Sequence, residues 1–176
     1  MKFFEWLEHN VLAHVSGPSG SGKTTLANNL SITHPKITFK DLDDFDDEAT
    51  AILNFDGIKK QDYTDEMLKI LANKRQDLMN DFIEKSNKPI VFVGHHTEGD
   101  HVLNIPTKNR FMLNVDAHTS AMRAYLRSQK EDQKFRRTLD ELPEDQKEAQ
   151  EVIDWLIKNG YKPLSDKQIA QWLDNY

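Results

Sequence analysis

The sequence predicts an α/β domain: three layers, α/β/α, around a mostly parallel sheet of about five strands. Three observations carry that prediction. A short apolar run, Leu12-Ala13-His14-Val15, passes through a glycine-rich turn into a helical stretch from Thr24 to Leu30. Two continuous apolar runs, Pro89 to Val93 and Phe111 to Val115, have the character of strands buried on both faces. Amphipathic helical segments separate these runs, and strands alternating with helices imply parallel pairing through crossovers.

The turn after the first strand reads Gly17-Pro18-Ser19-Gly20-Ser21-Gly22-Lys23-Thr24 and fits the pattern G-x-x-x-x-G-K-[ST]. Three of the chain's seven glycines lie in it. Glycine lets the backbone curl until successive N–H groups face an anion, and the opening helix adds its own free amides and positive dipole end. Gly17, Ser19, Gly20, Ser21, Gly22, Lys23, Thr24 and Thr25 are therefore the candidate triphosphate contacts. Lys23 suits the β- and γ-phosphates, and the Thr24 hydroxyl suits Mg²⁺. ATP with Mg²⁺ is the expected cofactor pair.

Ile37-Thr38-Phe39 reads as the second strand and runs into Asp41-Leu42-Asp43-Asp44-Phe45-Asp46-Asp47-Glu48. Ligands of parallel sheets gather at the carboxyl ends of strands. Asp41 and Asp43, two apart, share a face if the chain stays extended there. A carboxylate so placed can hold Mg²⁺ or take the proton of an attacking hydroxyl, and Asp43 is the first candidate for both. The other acids read as a solvated charge run.

Thr64 caps the clearest helix, with Asp65 and Glu66 at its positive end and a stop near Asn87. Met67, Leu68, Leu71, Leu78, Met79 and Phe82 form its apolar face. Arg75 interrupts that face, either snorkelling to the surface or serving as an anion contact. Gly94-His95-His96-Thr97-Glu98-Gly99-Asp100-His101 follows the third strand. No H-x-x-x-H spacing and no cysteine accompany these histidines, which argues against zinc. His95 and His96 are candidate substrate contacts.

After the strand ending at Val115 and the acid Asp116, a helix from about Thr119 carries Arg123, Arg127 and Lys130 on one face. Met122, Tyr125 and Leu126 are expected to face its core. Lys134, Arg136 and Arg137 follow in a charged region. Arginines in such positions can neutralise charge during phosphoryl transfer, or pair with surface acids. The next helix bears Val152, Ile153, Trp155, Leu156 and Ile157 and stops at Asn159-Gly160. Ser165 with Gln168 is a capping box for the last helix, which buries Ile169, Trp172 and Leu173. Phe3, Phe4 and Leu7 suit a short N-terminal helix.

At 176 residues the chain reads as one domain, 1–176. With 38% hydrophobic and 30% charged residues it has a soluble globular balance. There is no cysteine, and no apolar run approaches the ~20 residues of a membrane span. The expectation is a cytoplasmic protein with no membrane partner, monomer or homodimer. The formal net charge of −6 argues against nucleic acid as a partner.

Taken together, the Gly17–Thr24 loop, the Asp41-Leu42-Asp43 strand end and the Asp116–Arg123–Arg127 segment resemble the small P-loop kinases. These are nucleotide, nucleoside and metabolite kinases built like adenylate, shikimate and gluconate kinase. The resemblance implies a P-loop NTPase fold with a helical, arginine-bearing lid at about 129–142. It implies a nucleotide base lying near Tyr161-Lys162-Pro163, and a metal and hydroxyl role for the Asp-x-Asp, as in shikimate kinase. Two departures leave the acceptor open. The chain lacks guanylate kinase's GMP-recognition run, and Gly94-His95-His96 replaces adenylate kinase's Gly-Phe-Pro-Arg-like turn.

The expected activity is γ-phosphoryl transfer from ATP to a small acceptor: a nucleotide or nucleoside first, a sugar or other metabolite second. Lys23, Asp43, Asp41, Arg123 and Arg127 are the catalytic candidates. The alternatives are a polynucleotide 5′-end kinase and a non-catalytic nucleotide-binding module. Asn73-Lys74-Arg75-Gln76 departs from the Asn-Lys-x-Asp of GTPases at its fourth position.

Overall fold

The computed structural model describes residues 10–59, 62–95, 103–130 and 137–176. The expected N-terminal helix (Phe3, Phe4, Leu7), His96, His101, Lys134, Arg136 and the middle of the expected lid lie outside the described residues. The elements run β1 (Val11–Ser16), α1 (Lys23–Thr33), β2 (Thr38–Asp41), α2 (Asp43–Ile52), α3 (Asp65–Lys85), β3 (Ile90–Val93), β4 (Arg110–Leu113), α4 (Ala117–Lys130), α5 (Leu142–Lys158), β5 (Lys162–Leu164) and α6 (Asp166–Leu173). The strands form one five-stranded sheet in the order β2-β3-β1-β4-β5. This is the parallel α/β architecture that the alternation of apolar runs and amphipathic helices predicts.

The described residues fall into two compact units. The first holds 10–14 and 35–109. Here β2 pairs parallel with β3, with Thr38 opposite Ile90 and Asp41 opposite Val93. Its core gathers Val11, Leu42, Phe45, Met79, Ile83, Ile90, Phe92, Leu103 and Ile105. Phe45, Phe82 and Phe92 meet edge-on or tilted, with centroids 5.8 to 6.4 Å apart. Such geometry suits the ring quadrupoles. Thr64 caps α3 as expected, its hydroxyl accepting from the Met67 amide at 3.2 Å.

The acidic stretch departs from expectation. It is a helix from Asp43 onward, not an extended run. Phe45 and Ala49 recur at helical spacing and are buried. Asp43, Asp44 and Asp46 occupy the first turn, where the helix dipole favours carboxylates.

The second unit holds 15–34 and 110–176. In it β4 pairs parallel with β5, Phe111 opposite Lys162 and Leu113 opposite Leu164. Met112, Leu156 and Tyr161 form a core with Val152, Ile153 and Trp155 packed on it. The Ser165–Gln168 capping box is present at α6, both reciprocal bonds formed. The buried face of α4 differs from the expected one. It is Ala117, Ser120, Ala121, Ala124 and Ser128, whereas Leu126 is 50% exposed. Only small side chains fit this face, because the glycine loop approaches the helix backbone there.

Candidate phosphate-transfer site residues

In the second unit, β1 ends at Ser16 and the loop enters α1 through Gly22. That residue is the helix N-cap, in the left-handed region at φ 99°. It has no side chain to bond the first-turn amides, and the first turn of α1 carries no acid. The positive end of α1 is thus uncompensated by its own cap or first turn, the condition for an anion site. Lys23 curls over the loop. Its Nζ donates to the carbonyls of Gly17 at 2.7 Å and Pro18 at 2.9 Å, and to Ser21 Oγ at 3.4 Å. Thr24 and Thr25 are exposed in the first turn. A hydroxyl there is a hard oxygen donor of the kind Mg²⁺ takes alongside phosphate oxygens and water. The loop therefore fits a triphosphate with its metal.

The loop is held by α4. A Cβ built on Gly20 would lie 2.1 Å from the Ser120 carbonyl oxygen and 2.9 Å from the Ala124 nitrogen. Gly20 also has φ +81°, so both space and backbone conformation require glycine. One helical turn further on, Arg127 Nη2 donates to Ser19 Oγ at 3.4 Å. Arg123 is exposed and has no hydrogen bond or ion pair with a described residue. The expectation that these arginines pair with surface acids is not met at either position among the described residues.

Asp116 is the cap of α4. Its Oδ1 accepts from the Thr119 amide at 2.9 Å and its Oδ2 from the Thr119 hydroxyl at 2.7 Å. The amide bond, reinforced by the hydroxyl, holds this carboxyl below the usual aspartate value. Arg137 is anchored as well. Its guanidinium lies 2.6 Å from Asp145 Oδ1, its amide donates to Ser128 Oγ at 3.3 Å, and its carbonyl accepts from Gln129 Nε2 at 2.7 Å.

The segment Tyr161-Lys162-Pro163, near which the resemblance implies a nucleotide base, has one buried ring followed by two exposed residues. Lys162 and Pro163 open strand β5, and Tyr161 is 5% exposed. Arg110 lies 5.8 Å from the centre of its ring. Burial pushes the phenol up to about 12, offset in part by Arg110.

In the first unit, β2 ends at Asp41, whose Oδ1 accepts from the Asp43 amide at 3.1 Å. Between them Leu42 is fully buried, and its amide donates to the Val93 carbonyl at 2.8 Å. Gly94 packs on it so closely that a Cβ there would lie 2.9 Å from Leu42 Cβ. The Gly94 carbonyl lies 3.1 Å from Nε2 of the buried His14. The two carboxylates thus sit on a junction fixed from both sides. Asp43 is exposed, Asp41 half-exposed and His95, after Gly94, half-buried. Asp44 pairs with Lys40 at 2.6 Å.

Arg75 does not snorkel. Its Nη1 lies 3.0 Å from Asp46 Oδ1, and the two side chains are only 12% and 8% exposed. Sequence reasoning flagged Arg75 but not its partner. The helical spacing of Phe45, Asp46 and Ala49 was the signal that placed Asp46 on a buried face.

The comparisons agree with this geometry at the level of fold. A shikimate kinase from Acinetobacter baumannii, solved in complex with shikimate, matches 97% of this chain and 94% of its own, with a TM-score of 0.54 and 15% sequence identity. The chain has the fold of the small P-loop kinases. No family model matches it, and the comparison with curated proteins gives no match. Within the P-loop kinase fold, the resemblance read from the Gly17–Thr24 loop extends over nearly the whole chain. At 15% identity the likeness carries architecture, and the chemistry rests on this chain's own residues. Among the described residues no helix is long and apolar enough to cross a membrane.

Proposed function

We propose that the protein is an ATP- and Mg²⁺-dependent kinase that transfers the γ-phosphoryl group to a hydroxyl of a small acceptor, a nucleotide or nucleoside before a sugar or other metabolite. The observation that carries this reading is the loop of Gly17–Thr24, intact in residue type and opening an α-helix whose first turn is free of side-chain caps and acids. The loop amides and Lys23 would bind the phosphates, and Thr24 would hold the metal, with Asp43 as the second candidate. When bound, Mg²⁺ supplies charge neutralisation on the β- and γ-phosphate oxygens.

The chain's residues then divide the work. Asp43, with Asp41 beside it, accepts the proton of the acceptor hydroxyl as its oxygen bonds to the γ-phosphorus. The bond from that phosphorus to the β,γ-bridging oxygen breaks, and ADP leaves. Arg127, tied to the loop through Ser19, and Arg123 stabilise the charge that spreads over the transferring group. Arg136 and Arg137 are assigned to the lid, and Arg75, His95 and His96 to the acceptor.

The test is ADP formation by the full-length protein, with and without candidate acceptors. Acceptor-dependent ADP supports the kinase. Turnover indifferent to every acceptor makes the protein an ATPase, and nucleotide binding without turnover makes it a sensor; either result overturns the proposal. An oligonucleotide with a 5′-hydroxyl, included among the acceptors, covers the polynucleotide alternative.

A further inference from the structure

Resting on the kinase reading, we infer that His14 is a positioning residue for phosphoryl transfer: its ring holds the Gly94 carbonyl, and through Gly94 it sets where Asp41 and Asp43 stand. The starting point is an oddity of strand β1. Val11, Leu12, Ala13 and Val15 are buried apolar residues, and His14 among them is also fully buried, at 0% exposure. An imidazole in such a place costs free energy unless its polar atoms are bonded. An aliphatic residue would pack there without that demand.

The bond is with Gly94. His14 Nε2 lies 3.1 Å from the Gly94 carbonyl oxygen, although 80 positions separate the two in sequence. A carbonyl only accepts, so Nε2 carries the hydrogen and donates it. Gly94 is itself buried. It follows directly on β3, whose last residue, Val93, stands opposite Asp41.

Gly94 passes the constraint on to the carboxylates. Its φ is +145°, and a Cβ built on it would lie 2.9 Å from Leu42 Cβ and 3.3 Å from the Leu42 nitrogen. Only glycine allows this approach. The Leu42 amide donates to the Val93 carbonyl at 2.8 Å, and the Leu42 carbonyl accepts from the Phe45 amide at 3.2 Å. Leu42 is fully buried and stands between Asp41 and Asp43, which are joined by the bond from the Asp43 amide to Asp41 Oδ1 at 3.1 Å. A shift of Gly94 therefore has to move Leu42, and Leu42 carries both acids with it. Close-packed interiors transmit such displacements because they hold little free space. Misplacing a reacting group by about 1 Å can cost on the order of 10²-fold in rate. A buried donor on β1 thus acts on transfer rather than on nucleotide affinity.

Three variants of the full-length protein test this. His14→Leu removes the donor at similar volume. His14→Gln keeps it, because the glutamine amide nitrogen stands as many bonds from Cα as Nε2 does. His14→Asn carries the same amide one bond short. The assay uses ATP with Mg²⁺ and whichever ribonucleoside or ribonucleoside 5′-monophosphate the wild type phosphorylates fastest. His14→Leu and His14→Asn should lose about tenfold in kcat while KM for ATP changes by less than about threefold, and His14→Gln should recover most of the kcat. Wild-type kcat in either donor-removing variant, or a loss that falls on KM for ATP instead, overturns the inference. Should His14→Leu not fold, the contrast between His14→Gln and His14→Asn decides.

A second arm needs no turnover. Exchange of the Leu42 amide hydrogen is followed by NMR, with that of Ile169 in helix α6 as the reference for global opening. His14→Leu and His14→Asn should speed exchange at Leu42 by at least about tenfold and leave Ile169 unchanged, with His14→Gln close to the wild type. No acceleration at Leu42 overturns the inference. Equal acceleration at both amides, or failure of both donor-removing variants to fold, makes His14 a plain core residue and overturns it as well. If no acceptor is phosphorylated while Leu42 alone loosens, the kinase reading fails and the anchoring of the two acids by His14 stands.

Discussion

Gly20 in the glycine loop and Ser120 in helix α4 meet backbone to backbone: a Cβ at position 20 would lie 2.1 Å from the Ser120 carbonyl oxygen. Real Cβ atoms do not come that close, and a helix carbonyl cannot move aside as the end of a flexible side chain can. The left-handed conformation at Gly20 adds a cost of about 1–2 kcal/mol for any L-residue, and overpacking adds roughly 1–3 kcal/mol. Gly20→Ala is expected to lower unfolding free energy by the sum of these and to weaken ATP binding. Denaturant unfolding and nucleotide titration measure the two effects. A variant as stable as the wild type would show that loop and helix do not touch.

Lys23 bonds two loop carbonyls through its ammonium. Lys23→Ala removes those bonds and the charge that meets the triphosphate. Gly17 and Pro18 are buried, so losing the donor to their carbonyls should cost some stability, but neither hydrophobic core includes Lys23 and the fold should survive. Losing one preorganised charge from a transferring phosphoryl group is expected to reduce turnover by about 10²–10³-fold. Circular dichroism and ADP release on the same sample separate the two outcomes, and full activity in a folded Lys23→Ala protein would refute the assigned role.

How much of this was legible in the sequence depends on how local the determinant is. The glycine loop and the Ser165–Gln168 box are contiguous, so their chemistry shows in a few residues. The Asp46–Arg75 pair spans 29 positions, and only the packing of α2 on α3 reveals it. The acidic letters around Phe45 and Ala49 masked a helical period. On α4, hydrophobicity pointed to Met122, Tyr125 and Leu126. The buried face is set instead by how near Gly20 comes, and small residues carry no hydrophobic signal. Strand β5, Lys162–Leu164, did not show in the sequence because three residues are too few to display a period.

Asp46 and Arg75 also make a stability prediction. Arg75→Ala leaves a carboxylate 8% exposed without its cation, a change that typically costs about 3–5 kcal/mol. The double variant Asp46→Leu, Arg75→Met removes both charges and keeps the volume. It should recover most of that loss, because well-packed apolar groups replace buried ion pairs with little penalty. Unfolding free energies of the wild type, Asp46→Leu, Arg75→Met and the double variant close a double-mutant cycle. Simple additivity across that cycle would mean the two residues do not interact.

Asp116 sets a pH dependence whose sign is fixed by its cap. The Thr119 amide and hydroxyl bind the ionised carboxyl, so its folded value lies below the unfolded one. The group therefore contributes its full stabilisation at pH values above the unfolded pKa, near 4. As pH falls toward and through the lower folded value, the carboxyl takes up a proton and the contribution is lost. Asp116→Ala should be less stable than the wild type at neutral pH. The difference should shrink steadily on acidification below about pH 4, because the wild type loses what the variant never had. Asp116→Asn should fall between them at neutral pH, since its amide oxygen still accepts the Thr119 N–H without the charge. Urea unfolding midpoints of the three proteins between neutral and acid pH provide the check, and a wild-type advantage that persisted unchanged below the folded value would rule out the capping carboxylate as its cause.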